Sequence, residues 1–262
     1  MGRLRPPLPT EHGAIVMTTA ALITPLVALV PGGLPASDTL LAYAGFVGLV
    51  AIALLIRESL KQRSLSSDRE RLRQLNVVAS LEAATLVALA GALAAAYDPR
   101  WLLAVALIPL AGLNLYLGSR NWPVPVGNEL AGVFGLSLIV PVGVVVLGAT
   151  ELWLVGGLWL LFATFHVGSV LRVGTQMIGS GPTTRRLVTL MRVYHVGLVG
   201  VAALAWITGW VSLLAPLVFV AAVWRAEQLV TAEPGSVSLK ALGQSEAALS
   251  TLFVLALPWV LV

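Results

Sequence analysis

The residues in this chain able to do chemistry are ionisable side chains set into long apolar runs. His166, Ser169 and Arg172 are spaced i, i+3, i+6, which lines them along one side of a helix. Arg192 and His195 are neighbours by the same spacing. Glu11 and His12 stand before the first apolar run, Arg57 and Glu58 end the second, and Glu82 lies inside the third. Asn128 and Glu129 open a later run, Arg225 closes another, and Glu246 lies near the start of the last. A charge in a spanning segment is costly and by default marks a ligand site, an ion path or a buried pair. The guanidinium and imidazole groups offer donors to an anion, because Arg presents a planar fork that suits carboxylate or phosphate oxygens. His12 with Glu11, or His166 with Glu58, offers donors for one ion.

Each of these residues also has a plain structural explanation. Arg57, Arg172 and Arg225 suit the role of interfacial anchors whose stems lie along apolar surface. His195 can be satisfied by neighbouring backbone. Glu129 and Glu246 read as first-turn acids favoured by the helix dipole. Glu82 and His166 lie roughly 8–9 Å inside a helix end at 1.5 Å per residue, so they need partners. The set as a whole points to function more strongly than any member.

The elements that must position these groups are membrane spans. Hydrophobic residues make up 58% of the 262 and charged residues only 11%, and the mean hydropathy is +0.93. A soluble domain carries about a quarter charged residues. Several apolar runs reach the ~17–25 residues that a spanning helix needs, and period-two alternation is absent. The fold expected is an all-α polytopic bundle, a single transmembrane domain over 1–262. Nine spans are expected: Ala14–Val30, Thr39–Ile56, Val77–Tyr97, Trp101–Leu117, Leu130–Gly148, Leu152–Leu171, Val193–Gly209, Val211–Trp224 and Ser245–Val262. The seventh and eighth must form a tight hairpin around Gly209-Trp210. The start of the chain is Pro-rich, and its first apolar run is expected to be a retained helix, not a signal peptide.

Charge then sides the loops. Arg57–Asn76 carries six of the sixteen Lys and Arg residues, so it is expected to be cytoplasmic. With nine spans, the N-terminus is also inside and the C-terminus outside, and every Lys and Arg except Arg100 falls on the inner side. The polar residues named above all fall in the inner half, while the outer half holds only Thr and Ser within its helices. Shared depth suggests a polar cavity open to the cytoplasm, around which Glu11, His12, Glu82, Glu129, His166, Arg172 and His195 approach one another. The location expected is a bacterial inner membrane, and the net charge of +4 is a positive-inside signal, not a nucleic-acid footprint.

The chain has no cysteine, which excludes disulfides, thiolate metal sites and Cys nucleophiles. It has no Walker A loop, no Rossmann glycine fingerprint, no HExxH and no G-x-S-x-G elbow. No catalytic residue can be assigned from these patterns.

Two resemblances arise from the residues. Pro9-Thr10-Glu11-His12-Gly13-Ala14, Asn128-Glu129-Leu130-Ala131-Gly132 and Ser169-Val170-Leu171-Arg172-Val173 together resemble the YwiC-like family of bacterial integral membrane proteins. Ile15 stands where that family usually has an aromatic, and Gly174 where it tends to have Arg. The family implies a membrane protein without a firmly assigned activity. The arrangement of nine helices, with basic inner loops after the second and sixth, is similar to the UbiA intramembrane prenyltransferases. That likeness implies a prenyl diphosphate held by Asp-rich motifs through Mg²⁺. Here the first loop has Asp68 with Glu58 and Glu70 at other spacing, and Arg172–Arg192 has no acid. No cofactor follows from the residues. Mg²⁺ stays open, but the second acidic pair it needs is missing.

The expectation is therefore a membrane protein in contact with lipid, whose inner cavity binds a small anionic or lipid-linked ligand, with a divergent UbiA-like transferase as one form. The binding residues expected are Glu11, His12, Glu58, Glu82, Asn128, Glu129, His166, Arg172, Arg192, His195 and Arg225, with no dedicated metal site. A small-molecule or ion transporter and a non-catalytic assembly partner of a membrane complex remain alternatives, and oligomeric state is open. Because the chain lacks Cys, single cysteines can test the siding. A Cys at Ser66 should be labelled by a membrane-impermeant maleimide only from the cytoplasmic face, and one at Asp98 only from the outer face. Labelling of Ser66→Cys in intact cells overturns the siding.

Overall fold

The structure is a computed structural model that describes residues 12–29, 32–33, 35–96, 127–149, 151–177, 182–231 and 238–260. Among these residues nine helices follow in order: α1 (His12–Leu29), α2 (Ser37–Leu65), α3 (Arg69–Ala96), α4 (Gly127–Ser137), α5 (Ile139–Val146), α6 (Leu152–Met177), α7 (Pro182–Ile207), α8 (Leu214–Thr231) and α9 (Leu239–Val260). Six of them are long and apolar enough to cross a membrane, namely α2, α3, α6, α7, α8 and α9. Shorter apolar helices run over Ile15–Leu29 and Gly132–Val146. The expected span Trp101–Leu117 lies outside the described residues.

The basic stretch 57–76 is not a long loop. Helix α2 runs on through Arg57 to Leu65, and α3 begins at Arg69. At roughly 1.5 Å per residue, each of these helices outruns a hydrocarbon core of about 30 Å. Charged residues therefore stay helical in the polar layer beyond it. Asp68 starts α3, with its Oδ1 accepting from the Glu70 N–H at 3.0 Å and its carbonyl from Leu72 at 2.9 Å. That is the ordinary chemistry of an Asp N-cap.

The expected span Leu130–Gly148 is broken at Leu138. Pro141 has no N–H to offer the Ser137 carbonyl four residues back, so the ladder opens there. The Ser137 hydroxyl donates to the Phe134 carbonyl at 2.9 Å and accepts from the Trp159 indole at 3.0 Å. The break is thereby tied to α6.

Two helix ends close on glycines in the left-handed region. Gly209 (φ 78°) ends α7, with Gly209 N–H on the Trp206 carbonyl and Trp210 N–H on Ala205. Gly148 (φ 95°) ends α5 in the same way on Val145 and Val144. Both are Schellman caps. The link after α7 is fastened to the end of α9 by Ser212, whose N–H meets the Val260 carbonyl at 2.8 Å and whose hydroxyl meets that of Trp259.

Helix α6 is central, packing on α4, α5, α7, α8 and α9. Around its Leu158, Phe162 and Phe165 gather Val140 and Val144 of α5, Phe219 and Ala222 of α8, and Phe253 and Leu257 of α9. Helix α3 packs mainly along α2 and leaves Val77, Leu81 and Val87 exposed. Exposed Val193, Val196, Val201 and Leu204 run likewise down α7. Large apolar faces of this kind suit contact with lipid, since lipid is as apolar as they are. The three later spans start earlier or shift along the chain relative to the hydropathy reading, because their amphipathic ends are helical too.

Small residues set the closest helix approaches. A Cβ on Gly143 would stand 2.7 Å from Pro25 Cγ and 3.2 Å from Tyr43 Cε2, both ring atoms. Gly143→Ala should therefore cost about 1–3 kcal/mol by overpacking. A lowered midpoint of thermal unfolding in detergent checks this, and an unchanged midpoint contradicts the packing of α5 on α1 and α2.

Candidate functional site

Among the described residues, Arg172 is the largest side chain to be wholly enclosed, at 0% exposure. It lies on α6, four residues before the end of the candidate span at Gln176, and its guanidinium points among α6, α7 and α9. Nε donates to Glu246 Oε1 at 3.1 Å and Nη2 to Glu246 Oε2 at 2.8 Å. This is a fork-to-fork pair, the strongest geometry an Arg makes with a carboxylate. Ser169, one turn earlier on α6, donates its hydroxyl to Glu246 Oε2 at 2.6 Å. Three donors thus converge on one carboxylate. The third guanidinium nitrogen, Nη1, donates to His195 Nε2 at 2.8 Å.

The histidine tautomers follow from these partners. His195 Nδ1 sits 2.8 Å from the Met191 carbonyl, so Nδ1 carries the proton. Its Nε2 is left with a lone pair, which is what the Arg172 N–H requires. His195 is therefore neutral as it stands. His166 Nδ1 sits 2.9 Å from the Phe162 carbonyl, which fixes the same tautomer. Its Nε2, however, is buried and meets no partner. The ring is 4% exposed, stacks on Phe162 at 4.1 Å between centroids and meets Phe165 edge-on at 5.3 Å. An unpaired buried acceptor is rare and asks for an explanation.

Gly168 makes the close packing possible. A Cβ there would fall 2.9 Å from His195 Nε2 and 3.4 Å from Arg172 Nη1. Tyr194 holds α7 against α6 through its hydroxyl, which donates to the Thr164 carbonyl at 2.8 Å.

The structure brings together three of the expected residues, His166, Arg172 and His195. Of the others, the side chains that are described have different partners. Glu58 is 3% exposed and accepts from Gln62 at 3.2 Å, and Gln62 in turn accepts from Arg71 at 3.1 Å. Glu82 accepts from Ser59 at 2.9 Å. These make a separate polar cluster between α2 and α3. Arg192 pairs with Glu227 of α8 through bonds of 2.8 and 2.7 Å, with the two side chains 48% and 40% exposed. Arg192 and His195 share a helix but face different surroundings. Arg225 Nη2 donates to Ser245 at 2.6 Å, which ties α8 to α9. Glu129 is exposed. His12 and Asn128 are placed by backbone only, as the first residue of α1 and the second of α4. Glu11 lies outside the described residues.

The residue that sequence reasoning undervalued is Glu246. It reads as a first-turn acid if the last span starts at Ser245. Helix α9 instead starts at Leu239, so Glu246 lies two turns inside it. Its i, i+4 neighbour Ser250 is also buried, which makes a polar stripe visible in the sequence once the start is corrected. Among the described residues no three His, Asp or Glu side chains are grouped to hold a metal ion. An open groove of about 450 Å³ lies between α1 and α2, lined by apolar side chains including Leu22, Leu26 and Val47, and by Tyr43.

A family model described as YwiC-like protein matches residues 8–144, just over half of the chain. The chain belongs to the YwiC-like family. No curated protein and no solved structure matches it. The matched region covers α1 to most of α5, so the Arg172–Glu246–His195 network lies beyond it, in α6, α7 and α9. With its several long apolar helices, this YwiC-like protein is a multi-pass integral membrane protein.

Removing one partner of a buried ion pair costs about 3–5 kcal/mol, while replacing both by apolar residues is often neutral. Glu246→Met should therefore destabilise by that amount, and adding Arg172→Met should restore a large part of the loss. A double-mutant cycle on unfolding in detergent measures the coupling. Additive losses would mean that the two side chains are not paired.

Proposed function

We propose that this YwiC-like protein binds a small anionic group inside the membrane at Arg172, and that Glu246 occupies the anion's place when no ligand is bound. The observation that supports it is the convergence of Arg172 Nε, Arg172 Nη2 and Ser169 Oγ on one carboxylate. Such a cradle suits a carboxylate or phosphate oxygen pair from any source. Helix packing alone seldom requires it, since apolar residues of similar size hold helices together without desolvating two charges.

The topology proposed with this reading has nine spans, the N-terminus inside and the C-terminus outside, in a bacterial inner membrane. The site then opens toward the cytoplasm, because the ends of α6 and α8 and the starts of α7 and α9 carry the charges of that face. Exposed Arg185 and Arg186 at the start of α7 and exposed Lys240 at the start of α9 support this siding.

The anion has two possible sources. One is the diphosphate head of a prenyl lipid, as the UbiA likeness implies, and the other is a soluble acid. A carrier is the second functional reading, and the break between α4 and α5 favours it. Interrupted spans are where transporters place backbone groups against a substrate.

Calorimetry on purified protein separates these. Sulfate, propionate and farnesyl diphosphate should be titrated with and without EDTA. Binding is expected to survive EDTA and to weaken more than tenfold in Arg172→Ala. Binding of farnesyl diphosphate alone assigns a lipid-linked ligand, and binding of all three assigns recognition of the anionic group itself. If none binds, the proposed site is wrong.

A further inference from the structure

The anion site leaves a charge problem that one nearby group is placed to solve. In the structure Arg172 and Glu246 neutralise each other. An incoming anion that takes over the guanidinium leaves Glu246 as an uncompensated carboxylate in the bundle interior. Such a charge is very costly without a partner. The site then needs one more positive charge per anion bound.

We infer that His166 supplies it, so that anion binding at Arg172 is coupled to the uptake of one proton by His166. This rests on the anion-binding reading above. His166 stands one turn before Ser169 on α6, within electrostatic reach of both Arg172 and Glu246. Its Nδ1 proton is committed to the Phe162 carbonyl, and its buried Nε2 lone pair has no partner. The proton comes from bulk water or buffer and forms a bond to Nε2. Nδ1–H keeps its bond to Phe162, and the ring gains one positive charge. Glu246, released from Arg172, then has a cation to pair with. A monovalent anion and one proton enter together, and the net charge of the interior does not change.

The other groups around Glu246 are already engaged or carry no proton of use. On α6, Arg172 is taken by the anion, and Ser169 is a neutral donor. On α7, the Nε2 of His195 is held by Arg172. On α8, Arg225 gives its Nη2 to Ser245 while its buried Nε has no partner, but a guanidinium is already charged and takes up no proton. On α1, which packs along α9, His12 is the one titratable residue, at the start of the helix, and the buried Thr18 hydroxyl is neutral. Among the described residues, His166 is the side chain of this network whose basic atom is idle before the anion arrives, and the His166→Gln variant separates it from the released Glu246 carboxylate as the proton's acceptor.

The test is calorimetry with the monovalent anions nitrate and propionate at pH 6 to 8, where both stay ionised, in buffers of different ionisation enthalpy. The wild-type protein should take up about one proton per anion, and its affinity should rise about tenfold per pH unit of acidification while His166 is neutral in the free state. In His166→Gln the uptake should fall to near zero and the pH dependence should flatten. Glu246→Gln needs no extra proton, so it should bind the anion at least as tightly as wild type with little uptake. Its unfolding midpoint, lowered by the unmatched Arg172, should rise on adding propionate, which keeps the test independent of how well His166→Gln folds. Arg172-dependent binding without proton uptake overturns the coupling and leaves the anion site standing. Uptake that persists in His166→Gln overturns the role of His166. Absence of anion binding in wild type and in Glu246→Gln overturns the site itself.

Discussion

A guanidinium removed from water must find a counter-charge, and three helices of this bundle are arranged around that requirement. Arg172 has no exposure, and its partner Glu246 lies 74 residues further along the chain. A fork-to-fork pair tolerates little error in direction. It fixes how α9 is rotated toward α6 and how far each is displaced along its axis. His195 adds the same constraint for α7. One polar contact therefore sets the mutual register of three helices whose apolar surfaces alone would allow several.

Apolar packing then follows this register. Directly beyond the polar group, Phe165 stacks on Phe253 with ring centroids 4.1 Å apart and the planes nearly parallel at 8°. Arg172 Cζ lies 5.8 Å from the Phe165 centroid, a distance suited to a cation–π contact. The aromatic layer seals the network on one side. The clearance over Gly168 lets His195 and Arg172 lie against the backbone of α6. In lipid, where no hydrophobic effect drives one helix onto another, such close approaches and hydrogen bonds carry the association.

The network combines a saturated part and an unsaturated part. Arg172 meets Glu246 and His195 with all three nitrogens, and its carbonyl accepts from Thr175 at 2.7 Å. His166, a turn and a half away on the same side of α6, has one ring nitrogen engaged and one idle. The exposed Arg192–Glu227 pair shows the contrast. It has the same two-pronged geometry but sits at the surface, where screening leaves an ion pair little net worth. Identical chemistry carries different consequences at the two depths, because burial removes the competing water.

Local pattern alone determined that this chain is all-helical and membrane-spanning, roughly where its helices run, and that His166, Ser169 and Arg172 share a face. Those properties depend on hydropathy and on the 3.6-residue period, both of which are written in short windows. The partner of Arg172 did not follow, because it depends on which helices are neighbours and how each is rotated. Several acids of similar apparent depth competed for that place, and Glu246 looked like a capping residue until the start of α9 moved back to Leu239. Tertiary structure also sent Glu82 to the α2–α3 pair and Arg192 to Glu227, although both read as members of one site. Depth along a helix axis can be counted from sequence, but the direction a side chain faces across the bundle is settled only when the helices pack.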